Sequence, residues 1–357
     1  KATAMAGRAI VGNDKYGVYP LKGKFINVSD LKNMKKINDS EELKAIMKIV
    51  GLALNKKYTN LDTLRYGKVV LFTDQDEDGS HIKGLMFNLF KVLWPSLFEY
   101  PGFLNSIMTP VVKVKNKSKS LSFYSTKDYD IWKDKNEQKG WSSKYYKGLG
   151  TSTSKEAREY FNPPKLVEYT AKGEDDNNAI NLAFGKGEGS TDKRKEWLKN
   201  YNKSDTLNYN SKKISIRDFV DKDLKHFSNS DNYRSIPSIV DGLKPSQRKV
   251  LYTGLKRKLE KEIRVAQFAG SVSEVSAYHH GEASLVGTII GMAQDFVGSN
   301  NLNLFDPIGQ FGSRLQGGKD AAQPRYIHTK LMDITKLIFN PKDIPLLDYK
   351  DDDGLLV

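Results

Sequence analysis

The sequence predicts an α/β domain followed by a mainly α-helical domain, and three observations lead to that prediction. Strand-like and helix-like patterns alternate from Lys1 to about Lys115, as in a mainly parallel sheet flanked by helices. Residues 116–213 are polar and rich in Lys, Asn, Ser and Asp, as in a linker or insertion. Apolar residues recur at helical spacing from about Ile214. The predicted divisions are a first domain at 1–125, a linker or insertion at 126–213, a second domain at 214–340 and the start of a further domain at 341–357.

A short strand and a long helix flank an acidic turn in the first domain. Val69–Phe72 is apolar and β-branched at its start, which predicts a buried strand. The residues after the turn recur on one helix face: Ile82, Leu85, Met86, Leu89, Phe90 and Leu93. Because ligands bind at the carboxyl ends of strands in such sheets, the turn lies where a site is expected.

An earlier helix is predicted before this strand. Its apolar face consists of Leu43, Ile46, Met47 and Val50. Asp39 is the predicted N-cap, and Glu42 is its predicted capping-box partner.

The acidic turn, in KVVLFTDQDEDGSHIKGL at 68–85, predicts a metal site. In extended chain, residues two apart point the same way, so Asp74, Asp76 and Asp78 are expected to converge while Glu77 points elsewhere. Three carboxylates favour a hard divalent cation, Mg²⁺ above all. A calcium-binding EF-hand is excluded because the twelfth loop position is Leu85 rather than Glu. A solvated acidic turn without metal is the alternative.

The charge of the chain indicates a polyanionic partner. Lys and Arg number 57 against 43 Asp and Glu, which gives a net charge of +14. Nucleic acid is the first candidate. A membrane surface is disfavoured because the sequence has no polybasic amphipathic helix, no apolar stretch of spanning length and no secretion signal. The absence of cysteine excludes disulfides and thiolate metal sites.

Several short helices are predicted in the second domain. They cover FVDKDLKHF, SQRKVLYTGLKRKL and EASLVGTIIGMAQDF, and a last helix carries Ile327, Leu331, Ile334, Leu337 and Ile338. Small basic helices separated by turns are typical of helix-turn-helix DNA-binding modules. GKGEGS at 185–190 contains G-x-G-x-G, but it is predicted to be a flexible insertion because the flanking strand and helix of a phosphate loop are not expected there.

Six segments resemble successive blocks of eukaryotic topoisomerase II, the type IIA DNA topoisomerases. In chain order they are FTDQDEDGSHIKGL, YYKGLGTSTSKEAREYF, DGLKPSQRKVLY, AYHHGEASL, FVGSNNLNL and KDAAQPRYIHTKL. The resemblance implies a Toprim domain, with a Rossmann-like parallel sheet, followed by a winged-helix domain that carries a nucleophilic tyrosine. It also implies that the chain is the DNA-binding and cleavage core of a larger ATP-driven enzyme. The ATPase domain and a Glu-bearing Toprim block would then lie outside this chain.

The function implied by the resemblance is transient double-strand DNA cleavage and religation through a phosphotyrosyl intermediate. Mg²⁺ is the implied cofactor, with Mn²⁺ or Ca²⁺ able to replace it in binding, and ATP is used by the full-length enzyme only. The implied partners are double-stranded DNA and a second copy of the chain, with active sites shared between the subunits. The implied location is the nucleus.

The resemblance also implies residue roles. Tyr326 is the expected nucleophile, because a phosphotyrosyl ester keeps the bond energy and can be re-attacked by the released 3′ hydroxyl. Arg325 would neutralise charge at phosphorus. His280, favoured over His279, would take the phenolic proton or contact the scissile phosphate, and Arg248 is a second candidate for that contact.

The remaining predicted residues hold the metal or bind DNA. Asp74 and Asp76, with Asp78 assisting, are the expected metal ligands. The expected DNA contacts are Lys24, Asn27, Lys147, Lys186, Lys244 and Tyr278. Two rival functions stay open: a Mg²⁺-dependent Toprim nuclease or primase without a covalent intermediate, and a non-enzymatic DNA-binding protein. Trapping a covalent protein–DNA adduct separates both from a topoisomerase.

Overall fold

A computed structural model describes most of the chain. The residues described are 12, 14–29, 39–136, 139–146, 148, 150, 152–161, 163–278, 280–349, 351–352 and 355–356. The chain divides into two compact units, Lys1–Ser230 and Asp231–Val357. The sequence placed this division earlier, after residue 213.

The first unit contains a four-stranded sheet and a three-stranded sheet. Its strands are β1 (Val69–Leu71), β2 (Leu104–Ile107), β3 (Val112–Lys115), β4 (Ser120–Phe123), β5 (Ser142–Tyr145), β6 (Leu166–Thr170) and β7 (Lys213–Ser215). The larger sheet has the order β1-β2-β6-β7, and the smaller sheet has the order β4-β3-β5. β1 pairs with β2 and β6 pairs with β7 in parallel, whereas β2 and β6 are antiparallel. The larger sheet is therefore mixed, and two of its three strand pairs are parallel, as expected for a mainly parallel sheet.

The segment predicted to be a linker or insertion belongs to this larger sheet. β6 lies between β2 and β7, and Val167 and Tyr169 on β6 are buried. Polar loops around β6 conceal this short strand in the sequence, because its five residues alternate between intermediate and buried positions. The first unit thus extends beyond the predicted boundary.

The helices up to residue 235 lie between and after these strands in the chain, and the last of them continues past the division at Ser230 into the second unit. They are α1 (Glu41–Val50), α2 (Glu77–Leu93), α3 (Pro95–Phe98), α4 (Thr126–Lys135), α5 (Ser154–Phe161), α6 (Gly173–Phe184), α7 (Ser190–Lys199), α8 (Ile216–Phe219), a π-helical turn (Val220–Leu224) and α9 (Lys225–Ser235). GKGEGS joins α6 to α7, so a helix does follow it, contrary to the sequence prediction. A helix rather than a strand precedes it, so it still lacks the context of a phosphate loop.

Helix α1 begins one residue later than predicted. Ser40, not Asp39, is its N-cap, and Ser40 Oγ accepts a hydrogen bond of 3.3 Å from the backbone N–H of Leu43. The helix ends at Gly51, whose left-handed φ of 84° lets its N–H reach the carbonyl of Met47 at 2.8 Å.

Helix α2 follows the acidic turn and runs through the main core. Phe87, Leu89 and Phe90 are fully buried on it. A Cβ at Gly84 would lie 2.8 Å from Cζ of Phe184, so glycine is needed where α2 meets α6. This burial on more than one face fixes the helix and therefore the acidic turn that precedes it.

The second unit is built from three longer helices and short strands. Its elements are α10 (Pro245–Lys256), β8 (Ile263–Arg264), α11 (Val265–Ser276), α12 (Glu282–Ala293), β9 (His328–Thr329), α13 (Asp333–Ile338), a 3₁₀ helix (Pro341–Leu346), β10 (Asp351–Asp352) and β11 (Leu355–Leu356). β8 and β9 are antiparallel, as are β10 and β11. The core of this unit includes Val250, Phe268, Leu285 and Phe305, all fully buried.

The predicted last helix is wrong in its first half. Ile327 and Leu331 are buried, but their backbone groups bond to distant segments of the chain and not to residues within a helix of their own. The carbonyl of Ile327 accepts from the N–H of Val265 at 3.0 Å, and the N–H of Leu331 donates to Leu259 at 2.9 Å. The apolar spacing there comes from a strand and its flanks, and only α13 is helical.

Within the residues that the structure describes, no helix is long and apolar enough to cross a bilayer.

Candidate active site

Asp76 lies in the acidic turn and is the N-cap of α2. Its Oδ1 atom accepts a hydrogen bond of 2.7 Å from the backbone N–H of Gly79, which satisfies an amide of the first helical turn. Burial raises the pKa of the Asp76 carboxyl, although the Gly79 hydrogen bond opposes this. Nearby carboxylates raise this pKa further, and they belong to Asp74, Asp78 and Glu77. The turn therefore concentrates negative charge that a cation would relieve.

The predicted convergence of three aspartates is not seen. Because α2 starts at Glu77, the alternation of extended chain ends at Asp76, and Asp78 already belongs to the helix. Asp78 Oδ1 lies 2.8 Å from Nζ of Lys24, which also lies 4.7 Å from the ring centroid of Phe227. The described part of the chain contains no group of three His, Cys, Asp or Glu side chains arranged for a metal ion.

Asp74 and Asp76 nevertheless fit a divalent cation. Mg²⁺ usually keeps several water ligands and binds one or two carboxylates together with substrate phosphates, so a ready-made cage of three acids is not required. A Cβ at Gly148 would lie 3.2 Å from Cγ of Asp74 and would crowd that carboxylate. Glycine therefore leaves room for a ligand beside Asp74.

Glu156 holds both ends of the loop that contains Gly148. Its carboxylate accepts a hydrogen bond from Tyr146 Oη at the end of β5, and one of 2.8 Å from the backbone N–H of Thr153. Lys144 Nζ lies 2.8 Å from Glu156 Oε2. Burial alone would raise the pKa of Glu156, but these hydrogen bonds outweigh burial and hold this pKa well below its usual range.

Tyr326 is exposed on a loop whose backbone is held in place. Its side chain is 66% exposed, although Ile327 beside it is buried. The carbonyl of Ile327 accepts from the N–H of Val265, and that of Pro324 accepts from Ala266 at 3.1 Å. These donors are the first two residues of α11, whose initial amides have no partner within the helix. The tyrosine therefore faces outward from a fixed main chain.

Arg325 provides positive charge next to this tyrosine. Its Cζ atom lies 4.8 Å from the ring centroid of Tyr326, within cation–π distance. Both side chains are exposed, so a phosphodiester could approach them together.

The segment that contains Tyr278 and His280 follows the end of α11. Ala277 there has a left-handed φ of 44°, and Nζ of Lys249 donates to the carbonyl of Ser276 at 2.6 Å. Lys249 therefore bonds the carbonyl end of α11.

Tyr278 and His280 lie against each other. Their ring centroids are 5.6 Å apart in an edge-to-face arrangement, and Tyr278 Oη donates to Ser284 Oγ at 3.3 Å. His280 is exposed, whereas His279 lies outside the described residues.

Arg248 and Lys244 lie at the start of α10 but differ in their contacts. Arg248 forms a two-pronged ion pair with Asp241, with Nε–Oδ2 at 2.8 Å and Nη2–Oδ1 at 2.9 Å. Lys244 precedes the first helical residue, and its backbone N–H donates to Gln247 Oε1 at 2.9 Å. The charge of Arg248 is therefore partly compensated within the protein.

The other predicted DNA contacts lie in the first unit. The Asn27 amide is engaged inside the fold, because its Nδ2 donates to the carbonyl of Phe184 at 3.0 Å and its Oδ1 accepts from Asn88 at 3.0 Å. Lys186 is exposed between α6 and α7. Lys147 lies outside the described residues.

Each unit thus assembles part of the predicted site. The acids lie with Lys24 in the first unit, and Tyr326 lies with Arg325 in the second. The sequence analysis missed Gly148, Glu156 and Asp241. Thr153 and Glu156 have the spacing of a capping box, so that signal could have found Glu156.

Comparisons with known families account for nearly all of the chain. Residues 1–106 match the Toprim domain, residues 107–232 match the C-terminal associated domain of Toprim, and residues 234–357 match the A subunit of DNA gyrase/topoisomerase IV. The chain therefore contains, in order, the domains that these three family models describe.

Individual proteins agree with these family matches. DNA topoisomerase 2-alpha of Homo sapiens and that of Mus musculus are each 50% identical to the chain over 99% of its length. The crystal structure of the Plasmodium falciparum topoisomerase II DNA-binding, cleavage and re-ligation domain covers 100% of the chain, with a TM-score of 0.79 and 47% identity. The chain belongs to the topoisomerase II family. It spans 24% of these curated relatives and 49% of that solved chain.

Proposed function

We propose that the chain is the DNA-binding and cleavage part of a topoisomerase II that acts in the nucleus on double-stranded DNA. The observation that carries this proposal is the exposed Tyr326 beside Arg325 on a loop held through its backbone. The solved relative is described as a DNA-binding, cleavage and re-ligation domain, and its identity to this chain supports the same role.

The proposed reaction is a reversible phosphoryl transfer. The Tyr326 oxygen attacks the scissile phosphorus, so that a phosphotyrosyl bond forms and the bond from phosphorus to the 3′ oxygen breaks. His280 accepts the phenolic proton, and the released 3′ oxygen is protonated by water. Attack by the 3′ hydroxyl reverses these changes and reseals the strand.

Charge stabilisation in this reaction is assigned to Arg325 and to the acidic turn of a partner subunit. Arg325 faces the negative charge that grows on the phosphoryl oxygens, because its guanidinium lies beside the tyrosine ring. Asp74 and Asp76 would hold Mg²⁺, which supplies a Lewis acid for a phosphate or leaving oxygen when bound. The two carboxylates also exclude a bare phosphate from the turn, since like charges repel.

The same proposal covers the architecture. Helices α10, α11 and α12 with the β8–β9 pair suit a winged-helix module, in which helices present basic residues to DNA. A homodimer would supply two such tyrosines, one for each strand of the duplex.

The proposal is tested by trapping the covalent intermediate. The complete enzyme is incubated with supercoiled DNA and Mg²⁺, denatured, and analysed for DNA linked to protein. Tyr326→Phe should abolish the adduct while preserving folding and duplex binding, because only the attacking oxygen is removed.

Tyr233→Phe is the matched control, because Tyr233 is 58% exposed in the same unit. This variant should form the adduct normally. An adduct that persists in Tyr326→Phe and maps to another tyrosine would show that the nucleophile is misassigned. No adduct with the unaltered enzyme would instead favour a Toprim nuclease or a binding protein.

A further inference from the structure

A buried ion pair lies directly behind the acidic turn. Lys83 on α2 is 1% exposed, and its Nζ atom lies 3.5 Å from Oδ2 of Asp223 on the π-helical turn. The other oxygen of Asp223 accepts a hydrogen bond of 2.7 Å from Ser80 Oγ. The carboxylate thus ties two successive turns of α2 to the segment 220–224.

This pair is more than a means of filling the core. Removing two charges from water costs free energy that an apolar pair of the same volume would not cost, so packing alone does not explain it. The surrounding fold compensates both charges. The hydroxyls of Tyr169 and Tyr209 interact with Lys83 and Asp223 respectively. Segments of π-helix occur often at functional sites.

The contacts continue from the pair to the acidic turn. The carbonyl of Asp76 accepts from the backbone N–H of Ser80 at 3.1 Å, and the Ser80 hydroxyl that donates to Asp223 lies 3.2 Å from the same carbonyl. The carbonyl of Asp74 lies directly against Gly79, where a Cβ would overlap it. A shift of the first turn of α2 would therefore move both aspartates.

We propose that Lys83 and Asp223 are positioning residues that fix the acidic turn for its divalent cation. This inference rests on the proposed function, in which Asp74 and Asp76 hold the metal. Asp223 holds Ser80 and Lys83 in place, Ser80 holds the carbonyl of Asp76, and the two carboxylates keep the geometry that a small cation requires. Groups that orient metal ligands commonly change affinity without touching the metal.

Metal affinity and cleavage together test the proposal. Mn²⁺, which takes the same oxygen ligands, is titrated into the complete enzyme and followed by electron paramagnetic resonance. In Lys83→Met/Asp223→Leu, the dissociation constant for Mn²⁺ at the turn should rise about tenfold or more. The Mg²⁺ concentration for half-maximal cleavage should rise with it, while thermal stability stays close to that of the unaltered enzyme.

Milder and matched variants keep the test decisive. Ser80→Ala removes one hydroxyl from the chain of contacts. It should raise the dissociation constant for Mn²⁺ about threefold, less than the double variant does. Lys113→Met removes a similarly buried lysine from β3 of the smaller sheet. Lys113 is 7% exposed, and its Nζ atom lies 2.6 Å from Oε2 of Glu159 on α5. It should lower thermal stability but leave Mn²⁺ affinity unchanged. Equal losses in Lys113→Met and Ser80→Ala would mean that general destabilisation is the cause and would overturn the proposal.

Asp76→Asn separates the inference from the function on which it rests. If Asp76→Asn abolishes Mn²⁺ binding but Ser80→Ala and the double variant bind normally, only the positioning role is wrong. If Asp76→Asn binds Mn²⁺ like the unaltered enzyme, the acidic turn is not the metal site, and both ideas fail.

Discussion

Gly148 shows at the scale of one residue how a missing methyl group shapes the acidic turn. Gly148→Ala would place a Cβ 3.2 Å from Cγ of Asp74, so the carboxylate must move by a few tenths of an ångström. We expect cleavage to fall by about tenfold, or ~1.4 kcal/mol in the barrier, and thermal stability to fall as well, because the φ of 158° at Gly148 is unfavourable for alanine. Gly150→Ala is the control, because its Cβ would meet no atom within 4 Å. Equal cleavage by the two variants would remove Gly148 from the site.

At the scale of an element, Glu156 joins β5 to α5 through charged hydrogen bonds. Its pKa is depressed in the folded state, so its stabilising contribution is complete above the unfolded pKa of about 4.3 and declines as the pH falls below that value. Glu156→Gln should lower the free energy of unfolding by about 2 kcal/mol at pH 7.

The pH dependence distinguishes this network from ordinary packing. Chemical denaturation should show the difference between Glu156→Gln and the unaltered chain shrinking as the pH falls below about 4.3. Glu188→Gln, on the exposed turn between α6 and α7, should have little effect at any pH. A difference that does not change with pH would indicate lost packing instead of lost charge interactions.

The net charge of +14 acts at the scale of the whole molecule. DNA affinity should fall steeply with salt, and Lys244→Ala should flatten the slope of log K against log salt by about 0.9 for one phosphate contact. Arg248→Ala should change the slope less, because Asp241 already pairs with that guanidinium. Binding titrations over a range of salt concentrations measure both slopes.

Lys199→Ala is the control for these slopes. Lys199 is exposed and paired with Glu196 at 2.6 Å on α7, so its removal should leave the slope unchanged. The same slope in Lys244→Ala as in Lys199→Ala would exclude Lys244 from the DNA interface.

Local patterns predicted part of this molecule well. The apolar spacing after Asp76 predicted α2, because its buried face repeats over four turns. Strand β6 was missed because five residues in polar surroundings carry little signal, and its place in the sheet depends on pairing with distant β2 and β7. The helix expected from Ile327 failed for the same reason, since its hydrogen bonds go to segments far away in the chain.

The residues of the candidate site also divide into those that the sequence could predict and those that it could not. Residue types and resemblance predicted Tyr326, Arg325 and the acids, because their chemistry can be recognised in the sequence. The roles of Asp241, Gly148 and Asp223 depend on which side chain lies opposite them in space. The sequence could not supply those partners, and the extended-chain argument failed at Asp78 because the helix had already begun.

The loop of Tyr326 keeps its shape through main-chain bonds from α11, and this separates conformation from chemistry. Backbone amides and carbonyls are present whatever side chain occupies position 326. Many residues could therefore stand there without altering the path of the chain, and a folded protein would give no sign of the exchange. Only one of them offers a phenol. The fold consequently tolerates variation at the very position where the proposed reaction requires tyrosine, so measurements of stability alone would rank this residue among the dispensable ones.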